Sequence, residues 1–127
     1  MINTIAAIAA GGAIGALMRY GVNIAAIKAL GEGFPYATMI VNTSGSFAIG
    51  ALMIVLANAI SPSDTMRLFL VTGLLGAFTT FSTFSLDVVT LFQRGEIIST
   101  ALYLSLSVIL SIAALIAGMA LVKGLTA

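Results

Sequence analysis

Hydroxyl and aromatic side chains are concentrated in one stretch of the chain, Thr79 to Ser85, which reads TTFSTFS. It holds five hydroxyls and two phenylalanines, inside a segment with no charged residue from Leu68 to Leu86. Short hydroxyl side chains can bond nearby backbone groups in place of the helical pattern. In a membrane helix this chemistry predicts a break or a polar path. The alternative is an unbroken helix in which each hydroxyl bonds its own preceding turn.

Two other segments carry neutral polar side chains four residues apart, a spacing that puts them on one helix face. These columns are Thr38, Asn42 and Ser46, and then Ser99, Tyr103, Ser107 and Ser111. Hydroxyl and phenol groups in such a column offer successive hydrogen-bond donors to an anion. The alternative for each Ser is a bond to its own backbone, and for Asn42 a hydrogen bond that joins two helices.

Two phenylalanines and one arginine complete the set of candidate residues. Aromatic rings are positive at their edge, so Phe81 and Phe84 could meet an anion edge-on in a dry, confined place. Core packing is the alternative for both rings. Arg19 is a charged group in an apolar segment, which makes it a functional candidate. Its alternative is to extend towards the membrane interface.

The composition excludes several classes of protein. The 127 residues are 61% hydrophobic and only 7% charged, whereas soluble domains carry about 25% charged residues. Without His or Cys, and with its few carboxylates in loops or near a helix end, the chain lacks the groups that enzymes and proton-coupled pumps need. The net charge of +1 without a basic cluster predicts no nucleic-acid partner.

The charge-free windows predict an all-α membrane protein with four spans in one domain, 1–127. We expect helices near 3–30, 35–59, 66–93 and 96–123, separated by turns at 31–35, 61–64 and 94–96. The N-terminus lacks the features of a cleavable signal, so we expect the first span to be retained. Gly11 and Gly15 in that span predict a close helix contact.

The loop charges are balanced between the two sides of the membrane. Arg67 and Lys123 fall on one side, and Lys28 and Arg94 on the other. Since the Lys and Arg bias of loops sets orientation, this balance predicts insertion in both senses and antiparallel pairing. The alternative is a weak bias decided by Arg19 or by the N-terminal amine.

Three segments carry a resemblance to a known family. They are GGAIGALMRY (11–20), NTSGSFAIG (42–50) and GLLGAFTTFSTFS (73–85). In this order, in a four-span chain of this length, they resemble the Fluc-type fluoride channel family, also called CrcB. The resemblance covers nearly the whole chain, and the third segment is the most specific.

The resemblance implies an antiparallel, dual-topology homodimer in the lipid bilayer of the bacterial inner membrane. Such a dimer exports fluoride passively through two pores and holds a structural sodium ion at its centre. For the fluoride pathway it implies Phe81, Phe84, Asn42, Tyr103, Ser107, Ser111, Thr38, Ser82 and Thr83. For the aqueous vestibule it implies Arg19. For sodium it implies the main-chain carbonyls of Gly76 and Thr79.

Two other functions remain open at this stage. A small dual-topology multidrug or cation transporter would need a carboxylate in its first span, and this chain has no acid before Glu32. A subunit that only packs against others would give the hydroxyl columns and the 79–85 stretch no purpose.

Overall fold

The computed structural model describes residues 1–59 and 63–126, and within these ranges all regular secondary structure is helical. Four of its helical segments are long and apolar enough to cross a membrane: Ile2–Leu30, Tyr36–Asn58, Asp64–Gln93 and Ile97–Thr126. They agree with the four predicted spans, and the third is broken, as the hydroxyl-rich stretch predicts. The predicted turn residues Ser61 and Pro62 lie outside the described residues.

A glycine with positive φ follows two of the helices: Gly31 follows α1 (Ile2–Leu30), and Gly95 follows the helix Phe81–Gln93. Gly31 has φ +81° and donates its N–H to the carbonyl of Ile27. Gly95 has φ +78° and donates to the carbonyl of Phe92. Glycine adopts this conformation without steric cost. Both reversals therefore place neighbouring spans in opposite directions.

The third span has two halves. The first half-span (residues 64–78) consists of α3 (Asp64–Arg67), a π-helical stretch (Leu68–Leu75) and a final turn, α4 (Gly76–Phe78). It starts two residues earlier than predicted because the Ser63 hydroxyl caps it, accepting from the Met66 N–H at 3.1 Å. The second half-span is α5 (Phe81–Gln93).

Small residues bring α1 against the π-helical stretch. A Cβ atom on Gly11 would overlap the carbonyl oxygen of Phe69, and one on Gly15 would overlap that of Leu74. A Cβ atom on Gly73 would lie 3.1 Å from the Cα of Gly11. The backbones are thus in direct contact, which only glycine permits at these positions. The close helix contact predicted at Gly11 and Gly15 is confirmed.

The second helix, α2 (Tyr36–Asn58), packs along the last helix, α6 (Ile97–Thr126), in the most extensive contact between helices. Glycines again set the distance: Gly50 abuts the carbonyl of Leu115, and Gly118 abuts that of Phe47. The two helices run in the same direction, since the third span lies between them in the chain. The first half-span packs mainly on α1, whereas α5 packs mainly on α6.

Two buried clusters flank the break. Val41, Leu75 and Phe78 fix the end of the first half-span on α2. On the other side, Phe84 and Leu91 of α5 pack with Tyr103 of α6.

Candidate functional site

At the break in the third span, a side chain from α2 forms hydrogen bonds with the unwound backbone. Thr79 and Thr80 both have extended backbones, with ψ of 158° and 119°. The amide of Asn42 then pairs with the backbone of Thr80: its Nδ2 donates to the Thr80 carbonyl at 2.9 Å, and its Oδ1 accepts from the Thr80 N–H at 2.7 Å. The unwound peptide is therefore satisfied within the membrane, where an unpaired one would be costly.

The Thr80 side chain starts the second half-span. Its Oγ1 accepts from the Thr83 N–H at 3.1 Å, which caps α5. The same oxygen lies 3.1 Å from Thr83 Oγ1 and 3.3 Å from Ser82 Oγ. Thr80 is not among the site residues predicted from the sequence. The available signal was a threonine immediately before Phe81, at the position of a helix cap.

Beside the break lies a groove of about 320 Å³, here named the break cavity. It is lined by neutral side chains only: Asn42, Ser46, Ile49, Thr79, Thr80, Phe81, Phe84, Ser107, Val108, Ser111 and Ile112. Five residues of the predicted fluoride pathway meet here, from α2, α5 and α6. Its polar side chains are amide and hydroxyl groups, which can donate hydrogen bonds to an anion.

One hydroxyl in the break cavity has no partner. Ser107 is only 5% exposed, and its Oγ makes no hydrogen bond to any described residue. Ser111, one turn further along α6, is half-buried in the same lining. A buried hydroxyl without a partner is uncommon and costs free energy. The Ser107 hydroxyl is therefore able to donate a hydrogen bond to an ion that enters the cavity.

Aromatic rings form a row from the break to the loop before α2. The ring centroids are 5.5 Å apart between Phe81 and Phe84, 5.4 Å between Phe84 and Tyr103, and 5.5 Å between Tyr103 and Phe34. Phe84 is 8% exposed, whereas Phe81 is 77% exposed at the free end of the row. The sequence did not indicate Phe34, because nothing in its loop position implies contact with α6.

Tyr103 is fully buried behind Phe84 and does not line the break cavity. Its hydroxyl donates to Asp87 Oδ2 at 2.8 Å, which joins α6 to α5. The sequence pattern does not connect Asp87 with Tyr103, which lies 16 positions later. Two other members of the predicted hydroxyl column, Ser107 and Ser111, line the break cavity, whereas the fourth, Ser99, does not.

A second cavity, of about 360 Å³, lies on the other side of Thr80 and is here named the arginine cavity. Arg19 and Thr38 line it together with Thr83, so three predicted residues meet there. Thr80 lines both cavities. Ser82 is exposed and lines neither of these two cavities. Arg19 gives the arginine cavity a positive charge, which attracts anions.

The break also releases two main-chain carbonyls. In an unbroken α-helix the carbonyls of Gly76 and Thr79 would accept from the N–H groups of Thr80 and Thr83. Those N–H groups instead donate to Asn42 Oδ1 and Thr80 Oγ1. The freed carbonyls lie at the C-terminal end of the first half-span, where the helix dipole is negative. Oxygen ligands in such a field suit a small, hard cation.

These features define a small, multi-pass helical membrane protein with a neutral, donor-lined cavity at a helix break. Comparison with known proteins agrees with this class. The family described as "CrcB-like protein, Camphor Resistance (CrcB)" matches residues 6–119. The chain belongs to the CrcB family.

Individual relatives are similar over nearly their whole length. A protein of Agrobacterium fabrum (strain C58) is 51% identical over 125 residues, which cover 98% of this chain and 99% of the relative. One from Cereibacter sphaeroides (strain ATCC 17029) is 50% identical, covering 98% of each chain. A third, from Rhodospirillum centenum, is 47% identical over 94% of each. All three are named "Fluoride-specific ion channel FluC".

Proposed function

We propose that this protein conducts fluoride passively out of the bacterial cytoplasm and so relieves fluoride toxicity. The names of relatives at about 50% identity over the full chain support this function. The observation that carries it in this chain is the break cavity, where Phe81, Phe84 and the unpartnered Ser107 meet without a charged group. A path without a fixed charge lets a small anion enter without being trapped.

The same cavity argues against a multidrug or cation transporter. Such a protein needs a carboxylate in the membrane to hold its cationic substrate. The break cavity has no carboxylate in its lining, and the arginine cavity carries a positive side chain. Both cavities therefore favour an anion.

We infer that two copies pair in antiparallel orientation in the inner membrane and form two pores. Phe81, at the end of the aromatic row, is 77% exposed on a single chain, and Gly76 is exposed as well. A second copy over the break would cover both residues and complete the open side of the break cavity. The balanced charges of the loops support the antiparallel sense.

The freed carbonyls of Gly76 and Thr79 would hold a sodium ion between the two copies. The fit depends on their release by Asn42 and Thr80, described above, and on the exposure of Gly76 towards a partner. A bound cation there would neutralise the facing negative ends of two half-spans and so stabilise the dimer.

Flux from liposomes tests the proposed function. Purified protein in vesicles loaded with fluoride should release it without a proton gradient, and vesicles loaded with chloride should retain their content. Fluoride is measured with an ion-selective electrode. Rapid chloride release, or a strict need for a proton gradient, would refute the proposal.

Cysteine labelling tests the orientation. The chain has no Cys, and a side chain at Gly33 meets no neighbour within 4 Å, so Gly33→Cys provides a single label in the loop between α1 and α2. In sealed vesicles an impermeant thiol reagent should label about half of the protein, because both orientations are present. Labelling that is complete or absent would show a single orientation.

A further inference from the structure

Among the residues that the structure describes, Thr80 is the one that lines both the break cavity and the arginine cavity. Thr80 Oγ1 has three polar neighbours within 3.3 Å: the Thr83 N–H, Thr83 Oγ1 and Ser82 Oγ. A threonine hydroxyl has one proton and two acceptor positions. The Thr83 N–H fills one acceptor position, and the proton is donated to Thr83 Oγ1. Only the second acceptor position remains, and it can take the proton of Ser82.

This arrangement makes the hydroxyls of Ser82 and Thr83 unequal. Thr83 Oγ1 accepts from Thr80, so its own proton points away from Thr80. Thr83 lines the arginine cavity and also a neighbouring cavity that Thr38 and Asp87 line. Because the Thr80 proton is donated to Thr83, Ser82 must be the donor in its 3.3 Å contact with Thr80 Oγ1. Of these two hydroxyls, only Thr83 therefore presents a donor next to Arg19 and Thr38.

We propose that Thr80 is a positioning residue: it donates to Thr83 and thereby directs the Thr83 hydroxyl proton into the arginine cavity, where that proton binds the passing anion. This inference rests on the proposed fluoride function and adds a role for a residue that does not itself bind the ion. Backbone pairing with Asn42 holds Thr80 in place, and Thr80 is only 8% exposed.

Two substitutions at Thr80 distinguish the contribution of the hydroxyl group from that of the rest of the side chain. Thr80→Val removes it at nearly constant volume and should lower the rate of fluoride efflux by about tenfold, the effect of one hydrogen bond to a charged group. Thr80→Ser keeps Oγ and should restore a rate within about twofold of the unsubstituted protein. The matched control is Ser85→Ala, since Ser85 Oγ donates to the Phe81 carbonyl of its own helix; its rate should not change.

A double-mutant cycle with Thr83→Val distinguishes positioning from simple stabilisation. Thr83→Val alone should lower the rate by about tenfold, and adding Thr80→Val should cause no further loss, because the donor that Thr80 directs is already absent. The helix cap uses the Thr83 N–H, which Thr83→Val retains. Thr80→Val should therefore lower thermal stability in both backgrounds, and by less in Thr83→Val, where the bond between the two hydroxyls is already absent. Ser82→Ala should lose less than Thr83→Val.

Several outcomes would overturn the inference. They are a hundredfold loss in the double variant, equal losses in Ser82→Ala and Thr83→Val, or an unchanged rate in Thr83→Val. The last two do not require that Thr80→Val folds. If the unsubstituted protein does not release fluoride at all, the proposed function itself fails. If it does release fluoride and the cycle is additive, only the role of Thr80 fails.

Discussion

The pairing of Asn42 with Thr80 gives a quantitative prediction for Asn42→Ala. The substitution removes both hydrogen bonds that close the break, of 2.9 and 2.7 Å. Side-chain hydrogen bonds between membrane helices contribute about 0.6 kcal/mol on average and about 1.7 kcal/mol at most. Two of them amount to about 1.2 to 3.4 kcal/mol. Because Thr80 is 8% exposed and its peptide would remain unpaired, we expect a loss of about 2 kcal/mol or more.

This loss should appear both in stability and in flux. The free energy of unfolding in mixed micelles should fall by that amount for Asn42→Ala, and fluoride efflux should fall with it. Asn42→Asp should conduct even less, because it sets an oxygen against the Thr80 carbonyl and places a negative charge in the break cavity. The control is Ser44→Ala on the same helix, where the hydroxyl donates to the Ile40 and Val41 carbonyls of its own preceding turn. Asn42→Ala with normal stability and normal flux would refute the view that this amide holds the break.

Three further predictions follow from burial and packing. Phe84→Ile should reduce fluoride flux and should lower the free energy of unfolding by about 1 to 3 kcal/mol. Phe81→Ile, at the exposed end of the row, should reduce flux with little effect on the stability of a single chain. Unchanged efflux in both variants would show that these rings serve only in packing. Ser107→Ala should leave the free energy of unfolding unchanged or raise it by up to about 1 kcal/mol, since it removes an unpartnered buried hydroxyl. The same variant should lower the rate of fluoride efflux. A normal rate would show that Ser107 is not part of the pathway. Gly15→Val should prevent folding, because its side chain would overlap the backbone of Leu74, and recovery of a monodisperse, heat-stable protein on size exclusion would contradict that packing.

The sequence predicted the break but not the residue at which it forms. Five hydroxyls in TTFSTFS compete with the helix in similar ways, so local chemistry alone does not choose among them. The choice is made by Asn42, which lies 38 positions earlier and pairs with Thr80. The sequence offered two interpretations of Asn42, as a pathway group and as a link between helices. Its hydrogen bonds are of the second kind, while its side chain also lines the break cavity.

Other features depend on contacts that no local pattern contains. The stretch Leu68–Leu75 reads as ordinary apolar helix, and its π-helical form accompanies the seating of Gly73 on Gly11 of α1. Phe34 joins the aromatic row only because the loop folds back onto α6. By contrast, the four spans and the close approach at Gly11 and Gly15 follow from hydropathy and residue size alone, which is why they could be predicted.

The dependence of the break on Asn42 also bears on how the protein is made. During synthesis α2 enters the bilayer before the third span, so the amide is already in place when Thr79 and Thr80 arrive. Without it, an extended peptide at that depth would be exposed to hydrocarbon, at a cost of several kcal/mol for each unpaired group. A third span inserted alone would therefore remain a continuous helix. The helix would break into two halves only after it packs against α2, which is inserted earlier.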